Sequence, residues 1–593
     1  MPYGDFFEPV TIGSAGGGGL NVGGSGGGLL TVFVLDTLWL DGEIRADGQP
    51  AINPTGGGGS GGTVRIIAKK IKGFGNITAN GGDQFASGTG GGGSGGRIAL
   101  NFWVNETYLG KFQAHGGFAN WSLQNSGEPG GPGPVFMFHE GEVHKTLFVE
   151  NNFLQSKSVG KVRDFADLTD DHFKAWIIEQ DTDKKYLDGN NRSTTFDELQ
   201  IYSNAHLVIL PRDPQAGVFL HFQHMIGDRS GVLHVGPRQA MDLKRPAIDI
   251  PFSTYIYPSA YLGLAPDTSL NQVFVQIEGV MDHVYNLTLI AGGQLRLFPT
   301  GSTGSEPSLS YAISGTTVIK AQSSINASAP FAPGFTYNLT FGSLTVEGGG
   351  SVMGKDLEIT ATDITVDDGG AIDVSDGGYL AGLGAAPGTL HRLGNSGASH
   401  GGVGGRGQCA GYVTCRLPRK HPYGNLYHPS EYGSGGAGAK GGIGGGILKI
   451  SVIHTLTVDG YIRANSLNVL ASTGSLASGG SGGSIEIKTV NLTGSHTGAI
   501  EALGGVSDPV NGGGGSGGRI SIYHATHLSM PPYRGDFNVY GGQPAASSEA
   551  ETGASGTVYI FKYQHHGVHL ACRQPGLQTC DGAARLSQHR TPP

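Results

Sequence analysis

The chain has 593 residues, which is more than one compact core accommodates, since single hydrophobic cores stop growing at roughly 250–300 residues. Its 106 glycines make up about 18% of the chain, against an average of about 7%, and no collagen-like Gly-X-Y period is present. The net charge of −9 and the scattered basic residues exclude the clustered basic surface of a nucleic-acid-binding protein. No apolar run reaches the roughly 18 residues of a transmembrane helix, so no membrane span is predicted in this chain.

The first part of the chain combines apolar strands with glycine runs. Alternating or β-branched stretches lie at 29–40 (LLTVFVLDTLWL), 64–71 (VRIIAKKI) and 97–100 (RIAL), and a glycine-rich run precedes each of them. The turn pattern I-x-A-x-G recurs between these stretches at nearly regular spacing. Short strands at regular spacing, without helix-length amphipathic segments between them, predict successive coils of a parallel β-solenoid.

The glycine runs, of which GGGGSGG is typical, allow two structural interpretations. They could form flexible surface loops, because glycine adopts φ on either side of zero. They could also stack as extended, polyproline-II-like helices, backbone against backbone, where any side chain would clash. A phosphate-binding loop fits poorly, since G-x-x-x-x-G-K-[ST] is absent and the runs precede strands instead of helices.

The middle of the chain, 142–342, has fewer glycine runs but keeps a strand–turn–strand pattern. In FDELQIYSNAHLVIL at 196–210 and NLTLIAGGQLRLF at 286–298, apolar residues alternate on both sides of an Asn or Gly turn. This pattern predicts a β-helix with shorter coils. The charged segment near 160–190 is the one convincing helix candidate and predicts a small helical insertion.

Residues 343–563 (copy two) repeat the plan of residues 1–141 (copy one). PYGDFFEPVTIGS at 2–14 returns as PYGNLYHPSEYGS at 422–434, and GGGGSGGRI also occurs once in each copy. We interpret the opening phrase as turn and packing residues from inside a repeat, and expect the chain to be a fragment of a larger repeat protein. Residues 564–593 lack a strand pattern and are predicted to be a disordered or aberrant tail.

An acidic turn in copy two is a candidate calcium site, because calcium prefers oxygen ligands. Its carboxylates belong to Asp367, Asp368, Asp373 and Asp376. Ordinary turn chemistry is the alternative, and neither an EF-hand nor a GGxGxDxUx pattern is present. An inverting glycosidase needs two carboxyl groups roughly 6.5–9.5 Å apart, whereas neighbouring strand residues point to opposite faces. No catalytic residue and no cofactor-binding residue is therefore assigned.

The histidines and the serines of the glycine runs are further candidates for functional residues. Four histidines of the middle region could stack into a metal-binding ladder or could alternate on a solvated face; they are His206, His221, His224 and His234. His400, in SHGGVGG, is interpreted as structural because its glycines belong to the repeat. Ser94 and Ser516 recur inside GGGGSGG, but no partner base recurs beside them, so neither is expected to be a nucleophile.

Sequons point towards the secretory pathway. Eight Asn-x-Ser/Thr sequons are glycosylation candidates, at Asn76, Asn105, Asn120, Asn191, Asn286, Asn326, Asn338 and Asn491. The four cysteines form two close pairs, Cys409 with Cys415 and Cys572 with Cys580, which are disulfide candidates with no standard metal or redox spacing. An extracellular or cell-surface location is expected, with a signal peptide missing from this fragment.

The combination of SHGGVGG, YGNLYHP, GGGGSGGRI and the IRA/ITANGG turn resembles large Gly-rich repeat proteins of eukaryotes that carry pectin-lyase-like β-helix repeats. The resemblance covers residues 1–141 and 343–561, and the middle is similar to the segment that joins repeats in animal members. It implies a secreted or membrane-anchored protein and carries no catalytic set.

These observations predict an all-β protein of right-handed parallel β-helix coils with Gly-rich turns and one small helical insertion. The expected function is that of an extracellular structural or adhesive β-solenoid with protein or glycan partners. A carbohydrate-binding or carbohydrate-cleaving β-helix is the alternative. Acidic residues converging on a groove beside aromatic side chains would favour the alternative.

Overall fold

The computed structural model describes residues 7–18, 22–86, 88–120, 127–154, 175–179, 193–210, 219–243, 245–299, 308–327, 334–390, 394–408, 418–469, 477–507, 512–525, 532–544, 550–563 and 568–571. These residues form two compact units, Met1–Ser302 (unit 1) and Thr303–Pro593 (unit 2). In the ranges described, the protein is all-β and contains no helix.

The strands of unit 1 are β1 (Leu29–Trp39), β2 (Glu43–Arg45), β3 (Thr63–Gly73), β4 (Asn76–Thr78), β5 (Arg97–Tyr108), β6 (Lys111–Gln113), β7 (Pro134–His139), β8 (His144–Glu150), β9 (Ala175–Glu179), β10 (Ser193–Tyr202), β11 (His206–Leu210), β12 (Phe219–Gly227), β13 (Val232–Val235), β14 (Ala240–Leu243), β15 (Ala247–Ile250), β16 (Ser253–Ile256), β17 (Tyr261–Gly263), β18 (Asp267–Asn271), β19 (Phe274–Ile277), β20 (Val280–Asp282), β21 (Asn286–Ile290) and β22 (Gln294–Leu297). Those of unit 2 are β23 (Ser308–Ile319), β24 (Ser324–Ala327), β25 (Thr336–Val346), β26 (Ser351–Gly354), β27 (Asp356–Val366), β28 (Ala371–Asp373), β29 (Ile447–Val458), β30 (Tyr461–Arg463), β31 (Ser484–Thr493), β32 (Ala499–Glu501), β33 (Arg519–His524), β34 (Asp536–Asn538), β35 (Thr557–Lys562) and β36 (Val568–Ala571).

Unit 1 is built from long parallel sheets in which neighbours are not consecutive along the chain. One sheet has ten strands in the order β1-β3-β5-β7-β8-β10-β12-β14-β17-β20. Three further sets pair in the orders β22-β19-β16-β13-β11-β9, β15-β18-β21 and β2-β4-β6. All of these pairs are parallel except β7 with β8, whose antiparallel ladder joins two parallel stacks within the ten-stranded sheet.

Unit 2 follows the same plan, with strands in the orders β23-β25-β27-β29-β31-β33-β35-β36 and β24-β26-β28-β30-β32-β34. The pairs are parallel except the last, β35 with β36. One column of aliphatic side chains crosses five of these strands in register and is almost fully buried; it consists of Leu339, Ile359, Ile450, Ile487 and Ile522. Burying each such side chain contributes roughly 1.5–3 kcal/mol, so alternation along each strand supplies the core.

The helical insertion expected near 160–190 is not seen. Ala175–Glu179 form strand β9, which pairs in parallel with β11, and the rest of that segment lies outside the described residues. The sequence AWIIE is rich in aromatic and β-branched residues, which favour strands, and this preference outweighs the charged flanks that suggested a helix. In the predicted tail, Val568–Ala571 form β36, and residues 572–593 lie outside the described ranges.

The glycine runs are hydrogen-bonded to one another through their backbones. In unit 2, successive N–H groups of residues 513–518 donate in rotation to three neighbouring segments, 395–398, 551–554 and 502–505, with N···O distances between 2.8 and 3.1 Å. In unit 1, residues 57–62 donate in the same rotation to three neighbouring segments. The direction of donation repeats every third residue. We call these two hydrogen-bonded assemblies of glycine runs the glycine lattices.

Close approach of the backbones explains why the runs are glycine. A Cβ atom built on Gly515 would overlap the carbonyl oxygen of Gly480, and one built on Gly59 would overlap that of Ser25. Each run thus tolerates side chains only where it faces away from its neighbours. The backbone contacts agree with the ordered interpretation of the runs and not with flexible loops.

Candidate functional site

The loop 422–434, which repeats the opening phrase of the chain, is anchored on the glycine lattice of unit 2. The N–H of Ser434 donates to Oγ of Ser481 at 2.8 Å, and Oγ of Ser484 donates to the carbonyl of Glu431 at 2.6 Å. The hydroxyl of Tyr423 donates to the carbonyl of Tyr432 at 2.6 Å. The first two bonds hold the C-terminal end of the loop, and the third ties its two ends together.

A buried histidine, His400, lies next to this loop. Nδ1 of His400 lies 2.7 Å from the carbonyl oxygen of Gly482, and its backbone N–H donates to Oγ of Ser516 at 2.8 Å. Nε of Arg519 donates to the carbonyl of Tyr423 at 2.8 Å. Burial lowers the pKa of His400 to about 4, so the imidazole is neutral at pH 7. His400 is enclosed by the lattice and has no exposure for acid–base chemistry with a solvent-borne substrate.

The middle of the loop brings two side chains onto the outer face of β33 and β35. The rings of His428 and Tyr523 stack with centroids 5.6 Å apart and an interplanar angle of 10°. Tyr427 meets Tyr559 edge to face, with centroids 4.9 Å apart. Phe561 and Tyr563 extend the group, which we call the aromatic surface; its members are Tyr427, His428, Tyr523, Tyr559, Phe561 and Tyr563.

The aromatic surface offers rings to solvent. Tyr427 and Tyr563 are 48% and 59% exposed. The hydroxyl of Tyr523 donates to the backbone carbonyl of Tyr427 at 2.8 Å, which holds the loop over the strands. Burial among its neighbours raises the pKa of Tyr523 to about 12, so this hydroxyl remains a donor at physiological pH.

A carboxylate lies beneath the rings. Oε1 of Glu486, on β31, is 2.9 Å from Nδ1 of His428 and 2.9 Å from Nζ of Lys488. Burial alone would raise the pKa of Glu486, but the hydrogen bonds from His428 and Lys488 outweigh it and hold the pKa below its usual value. The carboxylate is therefore ionised at neutral pH and fixes the orientation of His428.

Copy one contains a corresponding loop-to-strand contact, in which the carboxylate is on the loop instead of on the strand. Glu8 corresponds to His428, and Arg65 corresponds to Glu486. Nη2 of Arg65 lies 3.1 Å from Oε1 of Glu8. A loop-to-strand pair that includes a carboxylate thus occupies the same place in both copies, which indicates that the loop is docked in the same way.

The two copies differ in what covers the aromatic rings. Phe7 meets Phe136 edge to face at 4.6 Å, as Tyr427 meets Tyr559 in copy two. In copy one, Phe196 of β10 stacks on Phe7 at 6.0 Å, and Phe7 is buried. Tyr427 of copy two is therefore exposed, whereas its counterpart Phe7 in copy one is buried.

The four calcium candidates lie along β28 and in the two turns that flank it. Asp367 and Asp368 precede it, whereas Asp373 ends the strand and its Oδ1 accepts from the N–H of Ser375 at 2.8 Å. Burial and then the charge of Asp373 raise the pKa of Asp376 to about 6. Within the described ranges, no group of three or more His, Cys, Asp or Glu side chains is arranged to hold a metal ion.

The structure separates the four middle histidines into two pairs. His206 and His234 stack with centroids 5.5 Å apart, and Nδ1 of His206 lies 3.2 Å from Nε2 of His234. Burial lowers the pKa of both, to about 4 for His206, so two neutral rings share one hydrogen bond. His221 and His224 lie instead on β12, where His221 is 3.7 Å from a carboxylate oxygen of Asp242.

Seven of the eight sequon asparagines lie in the described part of the chain. Asn105 is exposed on β5, whereas five others are half-buried in strands: Asn76, Asn286, Asn326, Asn338 and Asn491. Nδ2 of Asn286 donates to Oδ1 of Asp267 at 2.7 Å. Asn120 is half-buried outside the strands. Asn191 and the disulfide candidates Cys409, Cys415, Cys572 and Cys580 lie outside the described residues.

Sequence reasoning missed the aromatic surface. The tyrosines of β33 and β35 stand in ordinary alternating strands, and Tyr427 is about a hundred residues away along the chain. A comparison of the copies could have indicated it, because Asn101 of copy one corresponds to Tyr523.

Among the residues that the structure describes, no helix is long and apolar enough to cross a membrane. Comparison with known proteins adds no family: no protein-family model, no curated protein and no solved structure matches this chain.

Proposed function

We propose that this chain is an extracellular structural or adhesive protein built as a right-handed parallel β-solenoid. Three observations support the solenoid. Apart from β7 with β8 and β35 with β36, the strand pairs are parallel, and strands of other sheets lie between the two members of each pair along the chain. Strands of one sheet begin at Ala240, Tyr261 and Val280, at almost equal intervals. Each coil then contributes one strand to each sheet, and stacking of coils supplies the core.

The glycine lattices are the single observation that carries the structural role. Donation in three directions with a three-residue repeat is the hydrogen-bonding pattern of a bundle of polyproline-II-type glycine helices. Such a bundle satisfies its N–H and C=O groups by contact between backbones instead of by water. The conformational freedom of glycine is thereby removed over long segments, which stiffens the protein.

The aromatic surface favours adhesion to glycans as the binding activity. Exposed tyrosine rings offer apolar faces with polar edges, which suits stacking on sugar rings. The exposed His428 and Lys488, both held by the buried carboxylate of Glu486, supply hydrogen-bonding groups beside the rings. Repeated weak contacts along a multi-repeat protein would raise the overall avidity without a deep pocket.

The test is binding and turnover on a panel of soluble polysaccharides. Binding by the wild-type chain that weakens in Tyr427→Ala, without new reducing ends, would support adhesion. Tyr285→Ala is a matched control, since Tyr285 is an exposed tyrosine of unit 1. Release of new reducing ends at a sustained rate would overturn the adhesive function in favour of a carbohydrate-cleaving β-helix.

The extracellular location has a separate test. Expression through a secretory pathway, followed by removal of N-glycans and intact mass measurement, should show a mass loss. Asn105 is the first site to examine, because it is an exposed sequon asparagine. A chain that passes through the pathway unmodified at every sequon would count against the extracellular proposal.

A further inference from the structure

A small basic surface forms in unit 2 where distant parts of the chain meet. Glu551 lies 145 residues after Arg406 and 132 residues after Arg419, yet both guanidinium groups contact its carboxylate. Nη1 of Arg406 is 3.4 Å from Oε1 of Glu551, and Nη1 of Arg419 is 3.1 Å from Oε2. The exposed Lys420 follows Arg419 directly. We call these four residues the basic patch.

The backbones that carry the basic patch are hydrogen-bonded into place. The N–H of Glu551 donates to the carbonyl of Arg406 at 2.8 Å, and the carbonyl of Glu551 accepts from Gly514 of the glycine lattice at 3.1 Å. Oγ of Ser399 donates to the carbonyl of Lys420 at 2.7 Å. Because these backbone segments are already ordered, they lose little conformational freedom when a ligand binds to the patch.

The basic patch carries more positive charge than its own carboxylate neutralises. It combines three cations, Arg406, Arg419 and Lys420, with one carboxylate, in a chain whose net charge is −9. Among the described residues, Glu551 is the ion-pair partner of both arginines. Two arginines on one carboxylate repel each other, and exposed ion pairs contribute little stability, so the second arginine adds little to the fold. The surplus positive charge favours an anionic ligand.

The two guanidinium groups also keep hydrogen-bonding capacity for such a ligand. The side chains of Arg406 and Arg419 are 31% and 34% exposed. Each guanidinium group has five N–H donors, and one hydrogen bond to Glu551 uses only one of them. The planar fork of the remaining donors matches the oxygens of a sulfate, phosphate or carboxylate group.

We propose that the basic patch binds the sulfate groups of a sulfated polysaccharide. This inference deepens the proposed adhesion to glycans, on which it rests, by naming the class of glycan. The chain itself keeps the two binding surfaces close, because Tyr427 of the aromatic surface is eight residues beyond Arg419. Their Cα atoms are therefore at most about 29 Å apart. One polysaccharide chain can stack its rings on the aromatic surface and place its sulfates at the basic patch.

Sulfate esters fit the basic patch better than other common polyanions do. A nucleic acid needs a stripe of basic residues along its backbone, whereas the patch has three cations. A sulfate ester stays ionised throughout the physiological pH range. It offers three oxygens to the two guanidinium groups and Lys420, whereas the carboxylate of a uronic acid offers two. Sulfation therefore matches both the charge and the donors of the patch.

Binding of heparin to the full chain, measured by calorimetry at several salt concentrations, tests the proposal. The double variant Arg406→Gln/Arg419→Gln is expected to weaken binding by about tenfold or more and to reduce its salt dependence, since it removes charge-assisted hydrogen bonds. Arg419→Gln alone should weaken binding several-fold. Arg534→Gln removes an exposed arginine elsewhere in unit 2 and should leave heparin binding unchanged.

Two further probes separate this inference from the adhesive function. Chemically desulfated heparin should bind the wild type no more tightly than it binds the double variant. Binding of a neutral polysaccharide should weaken in Tyr427→Ala and persist in the double variant, which also shows that the double variant is folded. Equal heparin binding by the wild type and the double variant, or equal binding of heparin and desulfated heparin by the wild type, would overturn the sulfate site and leave adhesion through the aromatic surface intact. Tighter binding of a nucleic acid than of heparin would also overturn it.

Discussion

The glycine lattice makes a sharp prediction about single methyl groups. Gly59 lies inside the lattice of unit 1, where its N–H donates to the carbonyl of Gln49 at 2.9 Å and its own carbonyl accepts from Gly82 at 2.8 Å. A Cβ at this position would overlap the carbonyl oxygen of Ser25. Gly17 belongs to the same lattice, and its carbonyl accepts from Gly57 at 2.9 Å, but a Cβ there meets no atom within 4 Å.

The expected magnitude follows from these contacts. Gly59→Ala must separate two runs, which costs about 1–3 kcal/mol in overpacking strain and weakens two hydrogen bonds worth about 0.5–1.5 kcal/mol each. In total, the free energy of unfolding should fall by about 2–6 kcal/mol. Gly17→Ala should be neutral or slightly stabilising, by about 0.4–1 kcal/mol, because alanine restricts the unfolded chain.

Native-state hydrogen exchange measured by mass spectrometry is the assay, because it reports opening of the glycine run itself without assuming two-state unfolding of the whole chain. Amides of residues 56–62 should exchange much faster in Gly59→Ala than in the wild type, and Gly17→Ala should match the wild type. Equal protection in the two variants would refute the claim that close backbone packing selects glycine.

Three further outcomes are expected. Burial lowers the pKa of His400 to about 4, from 6.5 in the unfolded chain. The free energy of unfolding of unit 2 should therefore fall by up to about 3 kcal/mol as the pH falls from 6.5 towards 4. His400→Gln should flatten this pH dependence in urea unfolding curves. The pKa of Asp376 is raised, so its charged form opposes folding at neutral pH. Asp376→Asn should therefore stabilise unit 2 by about 1 kcal/mol after allowance for solvent screening. This gain in stability should vanish below pH 4, where the carboxyl group is protonated in both the folded and the unfolded chain. Glu486→Gln removes the charge that orients His428, so glycan binding should weaken several-fold while Tyr285→Ala leaves it unchanged.

The repeat organisation of the chain could be predicted from the sequence alone. Alternation in segments such as 447–458 has the period of a strand, and apolar strands at regular spacing cannot bury their inner faces except against one another. The all-β class and the absence of a predicted membrane-spanning helix follow from that pattern and agree with the described structure. In the one described stretch of the segment 160–190, Ala175–Glu179, helix and strand preferences compete, and pairing with β11 makes it strand β9.

Other features depended on contacts between distant residues. The sequence of a glycine run does not show whether the run is ordered, since GGGGSGG has the same composition in a flexible loop and in a glycine lattice. The hydrogen bonds from residues 513–518 to three separate segments show that this run is ordered. The same holds for the phrase shared by 2–14 and 422–434. Its sequence indicates a repeated turn, but only the tertiary structure covers Phe7 with Phe196 and leaves Tyr427 exposed. Local pattern determines which residues become strands, and long-range packing determines which equivalent surfaces remain free to bind.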